Sequence, residues 1–125
     1  MSTIQLRVVG AGLFFIFIFL SGIWLSRSGK PLNGIALTSH KLISLATAVF
    51  LVMIIYQTNQ LATLGATGLV AVVVTGLLFL GTVIAGGILS TGKPVPAAIL
   101  RMHQITPFLT VLSTAMTLYL LLSRQ

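Results

Sequence analysis

The sequence predicts an all-α integral membrane protein: a four-helix up-down-up-down bundle made of two repeated helical hairpins. Three observations carry that expectation. The chain of 125 residues is 57% hydrophobic, with a mean hydropathy of +1.14. Only 6% of its residues are charged and none is acidic, whereas a water-soluble domain carries about 25% charged residues to dress its surface. The apolar residues fall into four runs, each near the roughly 20 residues that cross a bilayer as a helix.

The runs place helices at about 6–25, 37–56, 64–89 and 96–122. They form one transmembrane domain, 1–125, with repeat halves of about 1–60 and 61–125. The first run is longer than the apolar core of a signal peptide and shares the repeat described below, so it is kept as a membrane helix. Gly29, Pro31, Asn33 and Gly34 punctuate the first connection. Gln57, Thr58, Asn59 and Gln60 form a polar, uncharged second one, and Gly92, Pro94 and Pro96 mark the third. Connections this short make consecutive helices antiparallel neighbours.

The halves repeat. Gly29-Lys30-Pro31 returns 63 residues later as Gly92-Lys93-Pro94. At the same offset Leu37 meets Leu100, His40 meets His103, Thr47 meets Thr110, Met53 meets Met116 and Tyr56 meets Tyr119. With a two-residue gap Gly22-Ile23 aligns with Gly87-Ile88, and Leu25-Ser26 falls on Leu89-Ser90. A repeated Gly-Lys-Pro followed at equal distance by the chain's only two histidines marks equivalent positions in a parallel repeat.

Charge sets the expected orientation. Arg27, Lys30, Lys41, Lys93 and Arg101 lie toward the Gly-Lys-Pro loops, and only Arg7 and Arg124 toward the other face. That asymmetry places both loops in the cytoplasm and both termini outside it, in a bacterial inner membrane. Trp24 suits the near interface, and Tyr56 and Tyr119 the far one. The net charge of +7 does not point to nucleic acid, because the cations flank apolar runs. The absence of cysteine excludes disulfides, iron–sulfur clusters, thiol catalysis and covalent haem attachment. Without intramembrane carboxylates, proton- or cation-coupled transport and supported hydrolysis have no obvious machinery; Ser44 lies one turn from His40, but no acid orients a base. Two histidines are also too few for a well-held zinc or copper site.

The histidines are the chain's candidate metal ligands. Ionisable residues inside membrane helices are rare and face the interior. In such a bundle helices two and four are diagonal, and with adjacent helices about 8–10 Å apart the diagonal is roughly 11–14 Å. That separation is wide for one small ion and suits a planar macrocycle with an imidazole on each side, as in bis-histidine haem b. Small residues on helices one and three, Gly22, Gly86 and Gly87, would let the ring edges in, with Gly76 and Gly81 keeping helix three slim. The ligand faces continue through Ser44 and Thr47 on helix two and through Pro107, Thr110 and Thr114 on helix four. Pro107 frees the carbonyl of His103. Arg27, Lys30 and Lys93 are the candidate partners of haem propionates. Each ligand imidazole is expected to donate its second nitrogen to a carbonyl, for example that of Ala36 or Ile99. Met53 and Met116 read as packing.

With histidines on helices two and four and glycines on the other pair, the chain resembles the small four-helix membrane b-type cytochromes. The resemblance spans the chain in architecture and rests on His40, His103 and the glycines. It implies one haem b with both residues as axial ligands, and electron transfer with quinone or a partner redox subunit rather than an enzyme acting alone. No second histidine lies deeper on either helix, so the pattern departs from two-haem members. The competing expectation is a non-catalytic accessory subunit of a larger membrane complex, holding a pigment such as chlorophyll or carotenoid through one histidine.

Overall fold

A computed structural model describes residues 1–58 and 65–123. Among them lie four helices: α1 (Thr3–Arg27), α2 (Gly34–Thr58), α3 (Gly65–Leu89) and α4 (Ala97–Leu122). All four are long and apolar enough to cross a membrane. At about 1.5 Å per residue, the 25 residues of α1 rise about 37 Å, which exceeds the roughly 30 Å hydrocarbon core. Large apolar side chains such as Phe17, Leu20, Leu42, Leu45, Leu77 and Phe108 are more than half exposed. This inverts the pattern of a water-soluble protein and assigns those faces to lipid. Asn59, Gln60 and the expected helix start at Leu64 lie outside the described residues, as does Arg124.

Helices α1 and α2 begin earlier than their apolar runs because capping, not hydropathy, starts them. Ser2 and Gln5 form a reciprocal capping box: the Gln5 amide donates to Ser2 Oγ at 3.2 Å, and the Ser2 amide donates to Gln5 Oε1 at 2.9 Å. Asn33 Oδ1 accepts from the amides of Ile35 and Ala36, both at 3.0 Å, so α2 starts at Gly34 rather than Leu37. Pro96, at the corresponding place before α4, has no side-chain acceptor to offer. Just past α1 and α3, Gly29 and Gly92 take the left-handed backbone, with φ of +75° and +73°. A side chain there would be strained, which explains the glycine of each Gly-Lys-Pro triplet.

The chain divides into two compact units, Met1–Gln57 and Thr58–Gln125, each holding one hairpin. In the first, contacts run antiparallel. Gly22 meets His40, Gly10 meets Phe50, and Arg7 donates to Gln57 at 3.3 Å. Phe50 lies over Gly10 and packs on Phe14 with ring centroids 5.0 Å apart. In the second, Gly86 meets His103, the Thr82 and Thr106 hydroxyls are 2.8 Å apart, and Thr75 bonds both Ser113 and Thr117.

The deep halves of the two hairpins are therefore built from different chemistry. Counting 63 residues on from α2, Phe50 corresponds to Ser113 and Ile54 to Thr117. Aromatic packing joins α1 to α2, whereas a ladder of hydroxyls joins α3 to α4. Both are workable in lipid, where close packing and interhelical hydrogen bonds replace the hydrophobic drive.

Candidate functional site: the histidine seats

Each histidine sits in a seat made by the neighbouring helix of its own hairpin. A Cβ built on Gly22 would lie 3.2 Å from His40 Cε1, and one built on Gly86 would lie 2.7 Å from His103 Cε1. The two glycines are therefore the places the imidazoles occupy. Gly87 has nothing within 4 Å of an added Cβ. The structural counterpart of Gly22 is thus Gly86, 64 residues on, the offset that also relates Leu25-Ser26 to Leu89-Ser90. The Gly-Ile dipeptide match to Gly87 misaligns the helix by one residue. The difference from the 63-residue offset of the histidines is taken up in the loops.

The hydrogen bond of His103 fixes which of its ring nitrogens carries the proton. His103 Nδ1 lies 3.0 Å from the Thr82 carbonyl oxygen. A carbonyl only accepts, so Nδ1 is protonated and donates. In the neutral ring Nε2 then carries the lone pair. His40 Nδ1 lies 2.9 Å from Ser21 Oγ. The same hydroxyl lies 3.0 Å from the Ile18 carbonyl oxygen.

These acceptors replace the ones expected from sequence. The carbonyls of Ala36 and Ile99 stand four residues before each histidine on its own helix. The rings turn to the adjacent helix instead, to Ser21 and Thr82. Neither residue stood out in the sequence. A serine inside an apolar run reads as packing, and a backbone acceptor has no residue signature at all. The usable signal was small: Ser21 directly precedes the seat glycine.

The remaining candidates are placed as follows. Thr47 and Thr110 are buried and equivalent, and each hydroxyl donates at 2.8 Å to the carbonyl four residues back, Ile43 and Thr106 respectively. Ser44 donates to the His40 carbonyl at 2.8 Å. Its counterpart Pro107 lies inside α4 and has no amide proton to give the His103 carbonyl. Thr114 is buried with no hydrogen-bond partner for its hydroxyl. Arg27, Lys30 and Lys93 are exposed around the Gly-Lys-Pro loops, and the sequence contains no acid to pair with them. Among the described residues no three of His, Cys, Asp and Glu form a group that could hold a metal ion. Compared with family models, curated proteins and solved structures, the chain matches none.

Proposed function

We propose that the protein is a membrane b-type cytochrome in which His40 and His103 would hold one haem b per chain through their Nε2 nitrogens. The supporting observation is the repeated seat. Two imidazoles inside apolar helices are each wedged against a glycine and bonded through Nδ1, the posture of a ligand histidine whose outer nitrogen is held by the protein. The residues fit the group. A haem would ask the protein for basic nitrogens, and the chain's two histidines are the residues that would provide them.

The chain's own residues then have definite tasks. Gly22 and Gly86 leave room for the rings, while Ser21 and the Thr82 carbonyl orient them. Arg27, Lys30 and Lys93 provide positive charge for the propionates, with no carboxylate competing for it. The hydroxyls of Thr47 and Thr110 are satisfied within their own helices, so these residues would offer methyl groups rather than donors to a cofactor. A bound haem would supply a one-electron iron couple. The partner for electrons is a membrane quinone or a redox subunit. The basic loops face the cytoplasm of a bacterial inner membrane and the termini face outward.

The test is an absorption spectrum of protein purified from haem-replete cells, before and after dithionite. A sharp Soret band and split ferrous bands are expected, both lost in His40→Ala and in His103→Ala. A colourless protein, or dependence on one histidine alone, would replace this reading with a structural or pigment-holding subunit.

A further inference from the structure

We infer that both hairpins aim their imidazole at the same backbone carbonyl, and that Ser21 is a positioning residue that relays this bond in the first hairpin. Relating α1 to α3 by the seat glycines, Ile18 corresponds to Thr82 and Ser21 to Ala85. The carbonyl at each of these places lies four residues before the glycine and already accepts its amide, leaving one lone pair. In the second hairpin Ala85 has no hydroxyl, and His103 closes directly on the Thr82 carbonyl at 3.0 Å. In the first, the Ser21 hydroxyl stands between, 3.0 Å from the Ile18 carbonyl and 2.9 Å from His40 Nδ1. The glycine contacts agree with this: the directly bonded ring sits closer to its glycine, 2.7 Å against 3.2 Å from the added Cβ.

The consequence is two unequal histidines of one tautomer. His103 donates to a carbonyl, and His40 donates to a hydroxyl that is itself a donor. The stronger and more rigid acceptor makes the His103 ring the more electron-rich ligand. This ligand consequence rests on the haem reading, whereas the tautomer and the relay do not.

Solid-state NMR separates the two. The protein is prepared without haem in lipid, with 15N-histidine and 13C-carbonyl isoleucine. Both histidines should show a protonated Nδ1 and an unprotonated Nε2. In Ser21→Ala the His40 ring should keep its tautomer and gain a through-space cross-peak from Nδ1 to the Ile18 carbonyl, converging on the His103 pattern. Ser21→Thr should preserve the wild-type relay. Protonated Nε2 on either wild-type ring would overturn the inference even in a haem-loaded protein. So would loss of the His40 tautomer in Ser21→Ala. If these signals appear in a chain that never binds haem, the relay stands and the cytochrome reading fails. In haem-loaded protein, Ser21→Ala should lower the midpoint potential while Ser21→Thr leaves it unchanged.

Discussion

Adding one methyl group to helix α3 tests the seat most sharply, because adjacent glycines make opposite predictions. In Gly86→Ala the new Cβ would fall 2.7 Å from His103 Cε1 and 3.2 Å from Nδ1, whereas carbon atoms rest at about 3.5–4.0 Å. The ring must retreat by close to an ångström. It is tied to the Thr82 carbonyl at 3.0 Å, so a retreat of that size takes the bond beyond hydrogen-bonding distance. Overpacking of this kind costs about 1–3 kcal/mol, and the part-buried imidazole donor that loses its acceptor adds to that cost. In Gly22→Ala the contact is 3.2 Å, and a shift of a few tenths of an ångström relieves it. In Gly87→Ala nothing is met. The assay is haem per chain from the pyridine haemochrome, together with denaturation in mixed micelles. Gly86→Ala should lose most haem and the most stability, Gly22→Ala should lose less, and Gly87→Ala should match wild type. Equal losses at Gly86 and Gly87 would refute the reasoning.

Other outcomes follow from the same contacts. In the first hairpin, Gly10→Ala would put a Cβ 2.8 Å from Phe50 Cζ and should destabilise the chain by about 1–3 kcal/mol. Adding Phe50→Leu should recover part of that loss, as a double-mutant cycle in micelles will show. In the second hairpin, Thr75→Val removes the hydroxyl shared by Ser113 and Thr117 and should cost about 0.6–1.7 kcal/mol, leaving the haem spectrum unchanged. Thr114→Val deletes a buried hydroxyl that has no partner and should be neutral or stabilising in the same denaturation assay.

The four helices were legible because lipid demands long apolar runs, and no other signal in the chain competes with them. Their starts were less so. The sequence reading began α1 at Leu6 and α2 at Leu37, where hydropathy rises, but Ser2 and Asn33 begin them three residues sooner through polar caps. The Gly-Lys-Pro repeat marked Gly29 and Gly92, two of the positive-φ glycines, and the paired histidines. It could not say which of two consecutive glycines lies under an imidazole, since Gly86 and Gly87 differ only in the helical face they occupy. The acceptors were the least legible part. The two hairpins reach one carbonyl position by different routes, and only one route leaves a side chain in the sequence, at Ser21. The divergence between an aromatic seam at Phe14 and Phe50 and a hydroxyl seam at Thr75, Ser113 and Thr117 was also hidden, because hydropathy treats both as membrane-compatible.

The most direct measurement is near-infrared magnetic circular dichroism of the oxidised, purified protein, calibrated against haem and chain concentration. Two imidazoles on low-spin ferric iron, at one haem per chain, are what the seats at His40 and His103 predict. A high-spin centre, a ligand pair other than two histidines, or a chain purified from haem-replete cells with no iron signal would contradict it.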